Sequence, residues 1–201
     1  MPQAIKYAQI DWTQFRGERQ QAPRLEEIHP GHVERYLFAT TLVFGSVLDA
    51  ACGCGYGSRM MFDKTGEVTG IDLEPEAIAY AEYYYHGPEY LVSDVSSYQG
   101  EYDWVVSFET LEHLKDPLIA LKQFRGSKNL ICSTPNQLRY PFDKKKFEGD
   151  RFPHQKHYRP KELEKLLKTA GWKVREKFCQ QLKKSPVTPG TDGMFLIFRC
   201  E

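Results

Sequence analysis

The chain has 201 residues, with 27 Lys+Arg against 27 Asp+Glu and 41% hydrophobic residues. That length suits one domain with a full core, and zero net charge excludes a grip on nucleic acid or anionic lipid by bulk charge alone, though not by a local basic patch. No stretch approaches the ~18 consecutive apolar residues of a membrane span, the N-terminal MPQAIKYAQIDWTQF has no apolar signal core, and five irregularly spaced cysteines fit reduced thiols. A soluble cytoplasmic protein with no membrane association is expected.

In chain order, the first 28 or so residues show no period. Pro30 then opens a leading helix in HPGHVERYLFATTLVF, with Val33, Tyr36, Leu37 and Thr40 at helical spacing. SVLDAA reads as the first strand, and Gly53, Gly55 and Gly57 turn it into a helix through SRMMFDKT. EVTGIDL is a strand; EPEAIAYAEYYYH is a helix begun by Glu74 and Pro75, a good first-turn pair. Strands EYLVSD and YDWVVSF follow, then helical pieces ETLEHL and DPLIALKQF broken at Pro117, then strand KNLICST. Residues 135–160 form a long loop without clear period, of a length that usually signals function or mobility in a compact domain. RPKELEKLLKTAG is a helix, and WKVREKFCQ and GMFLIFRC are closing strands. The alternation predicts an α/β doubly wound sheet of seven strands, mostly parallel, with one antiparallel strand near the C-terminus. A single domain is expected over 1–201, with an N-terminal segment and leading helix at 1–45 and a binding core at 46–201.

Open α/β sheets bind ligands beyond the carboxyl ends of their strands, at the point where strand order reverses. The first strand leaves through Asp49-Ala-Ala-Cys-Gly53-Cys-Gly55-Tyr-Gly57, where glycines let the backbone approach a ligand closely. Asp49 would repel a pyrophosphate and attract an ammonium or sulfonium group, so the loop suits a cationic nucleoside better than a dinucleotide. Asp72, ending the second strand, can accept both hydroxyls of a ribose. Asp94, ending the third, can accept the exocyclic amine of adenine while Val95 packs on the ring. Each Asp alone reads more readily as a solvated strand end or helix cap than as a ligand contact; three at successive strand ends behind a glycine turn are hard to assign to chance. Glu109, Glu112 and His113 fall at i, i+3 and i+4, one helical face, with Leu111, Leu114 and Leu118 marking the other. Two carboxylates and an imidazole suit a divalent ion such as Mg²⁺, Mn²⁺ or Zn²⁺, or form an ordinary polar face. Spacing leaves both open.

VLDAACGCGYG, GIDLEPEAIAYA, VSD, YDWVVSFETLEHL and STPN, in that order, resemble the motifs of class I S-adenosylmethionine (SAM)-dependent methyltransferases, from about Gly17 to the last strand. More narrowly, GERQQAP followed by HVERYLFA resembles a bacterial and phage methyltransferase group found beside glycosyltransferases. The resemblance implies a Rossmann-like SAM-binding core. It places Asp49, Ala51, Gly53 and Gly55 at the cofactor through the loop, Asp72 and Leu73 after the second strand, and Asp94, Val95 and Phe108 after the next two. Ala51 stands where the loop's first glycine is usual, and Arg125-Gly126-Ser127 shortens a Gly-Gly turn common before the fifth strand. ETLEHL resembles the stretch that supplies two glutamates and a histidine to a metal in ubiquinone-pathway O-methyltransferases. Small-RNA 3′-terminal 2′-O-methyltransferases use a similar stretch plus a histidine after TPN. By that resemblance Glu109, Glu112, His113 and His154 are the implied metal ligands, with His157 the runner-up for the fourth. Glu109, His113 and His154 are the implied catalytic groups; without a metal, His113 or His154 is a candidate base, against the plain alternative of a surface histidine.

SFET stands where DNA amino-methyltransferases carry an (N/D/S)PP(Y/F) turn, and the Pro-Cys pair of C5-cytosine enzymes is absent, so an oxygen acceptor is favoured by elimination. Residues 139–168 hold ten Lys/Arg and five Asp/Glu, net +5. With Tyr140, Phe142, Phe147, Phe152 and Tyr158 interleaved, this stretch reads either as a solvated surface or as a lid with apolar anchors. The leading expectation is an O-methyltransferase acting on a glycan, sugar phosphate or other polar small molecule, an anionic one included. A terminal ribose of RNA, and a non-catalytic SAM-binding subunit, are the alternatives. Oligomeric state is not legible.

Overall fold

The computed structural model describes residues 21–181 and 185–201. Helices α1 (Pro30–Thr40), α2 (Tyr56–Thr65), α3 (Pro75–Tyr84), α4 (Pro117–Gln123) and α5 (Pro160–Thr169) alternate with strands β1 (Val47–Ala50), β2 (Val68–Asp72), β3 (Glu89–Val92), β4 (Trp104–Phe108), β5 (Asn129–Pro135), β6 (Val174–Gln180), β7 (Val187–Pro189) and β8 (Phe195–Cys200). Four of these helices place proline in the first turn, where its missing N–H costs nothing. The exception, α2, starts from Gly55 at φ +86° and ends at Gly66 in the same left-handed region.

The strands form one sheet in the order β3-β2-β1-β4-β5-β8-β6-β7. β1 to β5 are parallel neighbours, and β8 runs antiparallel between β5 and β6. The described residues thus give eight strands where seven were expected, and two that run antiparallel to their neighbours where one was expected. The additional strand, β7, pairs with β6 over three positions at the sheet's edge and ends on Pro189, which has no N–H to continue a ladder. Three residues at an edge are too few for a period of two to show. No helix among the described residues is long and apolar enough to cross a membrane.

A second difference bears on function. ETLEHL is a turn, and helix begins only at Pro117. Glu109 leaves β4 with φ +51°, a left-handed conformation that stops a helix before it starts. Its N–H reaches the Ser133 backbone and hydroxyl oxygens, both at 3.2 Å, which binds the turn to β5. His113 N–H closes a turn on the Thr110 carbonyl, and the Asp116 carboxylate then caps α4 at the Leu118 N–H.

Apolar side chains fill both faces of the sheet. Tyr36, Ala39, Met61, Ala77 and Trp104 belong to one cluster under α1–α3; Leu48, Val105, Leu121, Leu163 and Trp172 belong to the other, under α4 and α5. Along β1 the period of two sends Val47 to the first cluster and Leu48 and Ala50 to the second. Asp49 shares Val47's face, that of α1 and α2. Gly57, in the first turn of α2, leaves room for the Tyr36 ring: a Cβ there would lie 2.1 Å from Tyr36 Cζ. That ring cannot step aside, because it packs edge-on against Tyr56 and Phe108 and donates its hydroxyl to Asp49. Gly57→Ala is therefore expected to cost about 2 kcal/mol or more by overpacking, read as a lower urea midpoint; an unchanged midpoint would show that α1 slides freely on α2.

Candidate functional site

Strand order reverses between β1 and β4, and a cleft of about 640 Å³ opens beyond their carboxyl ends. Its floor is the turn after β1. Ala51 adopts φ +65° there, the conformation for which a glycine is usual, at a cost of roughly 1–2 kcal/mol. Asp72 holds this turn from the side: its Oδ2 accepts the Gly53 N–H at 2.9 Å and its Oδ1 the Glu74 N–H at 2.9 Å. Two backbone donors leave further lone pairs on a carboxylate that is already oriented. Asp94 is exposed at the end of β3, its Oδ1 accepting the Ser96 N–H at 2.8 Å.

Seven of the nine residues implicated at the cofactor line the cleft: Ala51, Gly53, Asp72, Leu73, Asp94, Val95 and Phe108. The other two sit behind it. Gly55 faces α3 and β3, where a Cβ would come within 2.4 Å of Ala81 Cβ and 2.9 Å of the Tyr90 hydroxyl. Asp49 is sealed beneath the turn, its Oδ1 accepting from the Tyr36 hydroxyl at 3.0 Å and its Oδ2 from Ser58 at 2.6 Å. Burial raises the Asp49 pKa from 3.8 to about 7, against the two hydroxyl donors and with the nearby Asp72 charge adding to the rise.

On the opposite side, Glu112, His113 and His154 bring ligand-type atoms within 4.8 Å of one another. Glu109 lines the cleft but stands outside this group, its Oε1 held by the Ser133 hydroxyl at 2.7 Å. The turn is the reason: helical spacing would have put Glu109 above Glu112 and His113, whereas its left-handed backbone directs it to β5. Glu112 is fully buried, and among the described residues neither carboxylate oxygen has a hydrogen-bond partner. The Thr134 hydroxyl is near enough to favour the charge slightly but is itself outside bonding geometry. Burial, then the Glu109 charge, push the Glu112 pKa well up.

The two imidazoles have defined tautomers. His113 Nδ1 lies 2.7 Å from the Phe152 carbonyl, which only accepts, so Nδ1 carries the proton and Nε2 the lone pair. His157 Nδ1 likewise donates to the Tyr140 carbonyl at 2.7 Å; its Nε2 then accepts from His154 Nδ1 at 2.8 Å, which leaves the His154 lone pair on Nε2. Burial, with His113 and His157 adding to it, depresses the His154 pKa from 6.5 to about 3. His157 thus lies behind His154 and orients it, a carbonyl–histidine–histidine chain of the type that aims metal-binding imidazoles.

The loop at 135–160 carries His154 and His157 across the cleft as a strap. Asn136 bridges to Tyr158 at its base, and the Gln155 N–H reaches the Glu112 carbonyl at 2.6 Å. The Phe147 ring stacks on His154 at 4.0 Å, and Arg151 pairs with Glu74 at 2.7 Å beside the Asp72 turn. The far wall was not anticipated: His32 and Tyr36 of α1, Tyr56 of α2 and Phe195 of β8 also line the cleft. Their types match ordinary core positions, and only the location of α1 over the sheet's carboxyl end marks them.

The family model for a methyltransferase domain matches residues 15–177. A probable S-adenosylmethionine-dependent methyltransferase of Mycolicibacterium smegmatis is 28% identical over 144 residues, 65% of this chain and 52% of that protein. A second curated relative, from Mycobacterium tuberculosis, is matched over 37% of its length, so the chain spans about half or less of these relatives. A ubiquinone biosynthesis O-methyltransferase of Hydrogenovibrio crunogenus is 26% identical over 198 residues, 86% of this chain and 82% of that one. The magnesium protoporphyrin IX methyltransferase of Synechocystis, solved with bound SAM, superposes with a TM-score of 0.63 at 16% identity, covering 100% of this chain and 96% of that one. At that identity it shows a shared fold alone.

The buried Asp49 carboxyl generates a pH signature. Because its folded pKa is raised, the native state keeps a proton that the unfolded chain releases; its contribution is complete below about pH 4 and is lost as pH rises to about 7, on the order of 4 kcal/mol. Asp49→Asn retains an acceptor for Tyr36, and its stability relative to wild type is expected to improve steadily across that window in urea melts. A pH-independent difference would mean that Asp49 is ionised throughout.

Proposed function

The chain belongs to the methyltransferase-domain family, and from that premise we propose that it transfers the methyl group of SAM to a hydroxyl oxygen of a small polar acceptor, glycans and sugar phosphates among them. Asp72 receives the ribose hydroxyls, Asp94 the adenine amine with Val95 and Leu73 against the ring, and the turn at 51–53 lies along the donor. Methyl transfer is an in-line displacement that needs alignment more than a covalent nucleophile. A hydroxyl acceptor additionally has to lose a proton.

The observation that carries the oxygen-acceptor reading is Glu112, a buried carboxylate with no hydrogen-bond partner beside imidazoles whose lone pairs sit on Nε2. A carboxylate buried without donors costs several kcal/mol unless something cationic meets it. One carboxylate and two imidazoles fit a divalent transition ion such as Zn²⁺ or Mn²⁺ better than an all-oxygen Mg²⁺ site. Glu112, His113 and His154 would hold that ion, and when bound it would lower the pKa of a neighbouring acceptor hydroxyl. In its absence His154, neutral at pH 7 with its Nε2 lone pair, is the candidate base. The 26% identical ubiquinone O-methyltransferase supports the same acceptor atom.

Lys144, Lys145 and Lys146 are exposed on the strap, with Lys146 over the ring of Tyr140, a cleft residue. They favour an anionic acceptor. An extended RNA track is less well supported, because Arg139, Arg151, Lys156 and Lys168 are each paired with a carboxylate.

Calorimetry with SAM and with its product S-adenosylhomocysteine tests the reading first: both should bind, and Asp72→Ala should weaken them at least tenfold. Failure of both to bind the wild type would end it. On an acceptor found by screening hydroxylated small molecules, a chelator or Glu112→Ala should abolish turnover while leaving S-adenosylhomocysteine affinity unchanged. Turnover that survives both, with no divalent ion bound by the apo protein, would leave proton removal to the histidines alone. Converting Lys144, Lys145 and Lys146 to Gln should raise the acceptor's KM several-fold without changing cofactor affinity; unchanged acceptor kinetics would count against an anionic acceptor.

A further inference from the structure

Arg35, on α1, is 1% exposed, and its guanidinium is only partly used. Nη1 donates to Gln180 Oε1 at 2.6 Å, and the group lies over the Phe195 ring, 4.6 Å from its centroid. Nε and Nη2 have no hydrogen-bond partner among the described residues, and both are shut off from solvent. Those two nitrogens form the side edge of the guanidinium, the parallel pair of N–H groups that matches the two oxygens of a carboxylate or phosphate. The edge left unused is therefore a bidentate oxyanion fork.

Nothing among the described residues claims it. Glu109 is close enough for the Arg35 charge to favour its ionised form, yet its Oε1 takes the Ser133 hydroxyl and no ion pair forms with Arg35. A buried donor left without a partner is costly, and so is a buried charge without a counter-ion. The Gln180 bond and the Phe195 ring account for Nη1 and one face of the group but give the Nε/Nη2 edge no reason to be there. Its surroundings supply one: His32, Tyr56, Glu109 and Phe195 all line the cleft, the Arg35 charge acts on the first three, and the fourth stacks on it. The guanidinium thus stands one side chain behind the cleft wall formed by α1 and β8.

We infer that the Nε/Nη2 edge of Arg35 is an anion subsite of the cleft, taking the carboxylate or phosphate of a bound ligand in the plane of the guanidinium when the side chains of that wall part. The inference rests on the reading of the cleft as a cofactor and acceptor site. Two sources share this chemistry, the amino-acid carboxylate of the cofactor and an acidic group on the acceptor.

Wild type, Arg35→Gln and Arg35→Lys are titrated with three probes: S-adenosylhomocysteine; 5′-methylthioadenosine, which keeps the nucleoside but has no carboxylate; and inorganic phosphate added to protein saturated with S-adenosylhomocysteine. If the fork holds the cofactor carboxylate, Arg35→Gln loses roughly tenfold or more of its affinity for S-adenosylhomocysteine and none for methylthioadenosine. If it holds an acceptor anion, both nucleosides bind as before and the phosphate heat seen with wild type disappears. Arg35→Lys, which keeps the charge without the fork, should fall between wild type and Arg35→Gln. Equal loss of both nucleosides, or no change in any titration, overturns the inference, since a purely structural arginine would not separate the probes. Should wild type bind neither nucleoside, the cofactor reading fails by itself, and phosphate binding to the unliganded wild type and Arg35→Gln still decides the fork.

Discussion

The backbone turn after β1 is fixed by two carboxylates that approach it from different directions. Asp49 lies underneath, where strand alternation sends it toward α1 and α2, and it gathers the hydroxyls of Tyr36 and Ser58. Asp72 lies beside it and takes the Gly53 and Glu74 N–H groups, so the ends of β1 and β2 are cross-linked through one side chain. Tyr36 extends the same constraint outward: its ring occupies the space that Gly57 leaves in α2 and touches Phe108 at the end of β4. The position of α1 over the sheet, the start of α2 and the shape of the cleft floor are thus set together. A site built this way loses little entropy when a ligand arrives, because its polar groups are already placed.

The opposite wall is held quite differently. The strap at 135–160 has almost no regular structure; its ion pair at Arg139 is exposed, a kind of contact worth about 0–1 kcal/mol, whereas Arg151 reaches from the surface to the buried Glu74. The buried Phe147 ring on His154, the His157–Tyr140 carbonyl contact and the Asn136–Tyr158 bridge hold the strap to itself, and the Gln155 N–H on the Glu112 carbonyl at 2.6 Å and the His113 Nδ1 on the Phe152 carbonyl at 2.7 Å tie it to the turn after β4. Asn136 itself is tied by its side-chain amide to the Thr191 and Gly193 carbonyls, at the turn before β8. The floor is cross-linked through side chains of three elements; the other wall is assembled from aromatic contacts and single hydrogen bonds along an irregular segment. Because His154 lies on the strap and Glu112 beneath it, their juxtaposition depends on the strap being closed.

Most of the sheet was legible because its strands are apolar runs bounded by glycine, proline or acidic residues, and its helices carry proline at their first turn. The turn at 109–114 was not legible, because ETLEHL has good helical spacing and only the Ser133 contacts, 24 residues away, impose the left-handed backbone at Glu109. Yet Glu112 and His113 still meet His154, since adjacent residues on a tight turn can converge as readily as i and i+4 on a helix. For Asp49 the residue type and position were legible but not its burial, which depends on a tyrosine from another helix. Arg35 left no signal at all. In HVERYLFA it reads as one charge on an amphipathic helix, and its isolation appears only when Gln180 and Phe195, about 150 residues on, close around it.

The chain's 27-to-27 balance conceals how unevenly its charges are spent. Asp49, Glu109 and Glu112 are driven toward protonation by burial, and Arg35 is buried without a carboxylate partner, all around one cleft. Surface pairs elsewhere contribute little either way, so the electrostatic cost of this fold is concentrated at that cleft. If the chain performs the SAM-dependent transfer proposed above, a donor that enters as a cation and leaves neutral is a reactant for which such an arrangement has a use. The carboxylates become comfortable only when positive charge is brought to them, and the guanidinium only when negative charge is brought to it. Binding partners of both signs would then repay in affinity what their absence costs in stability.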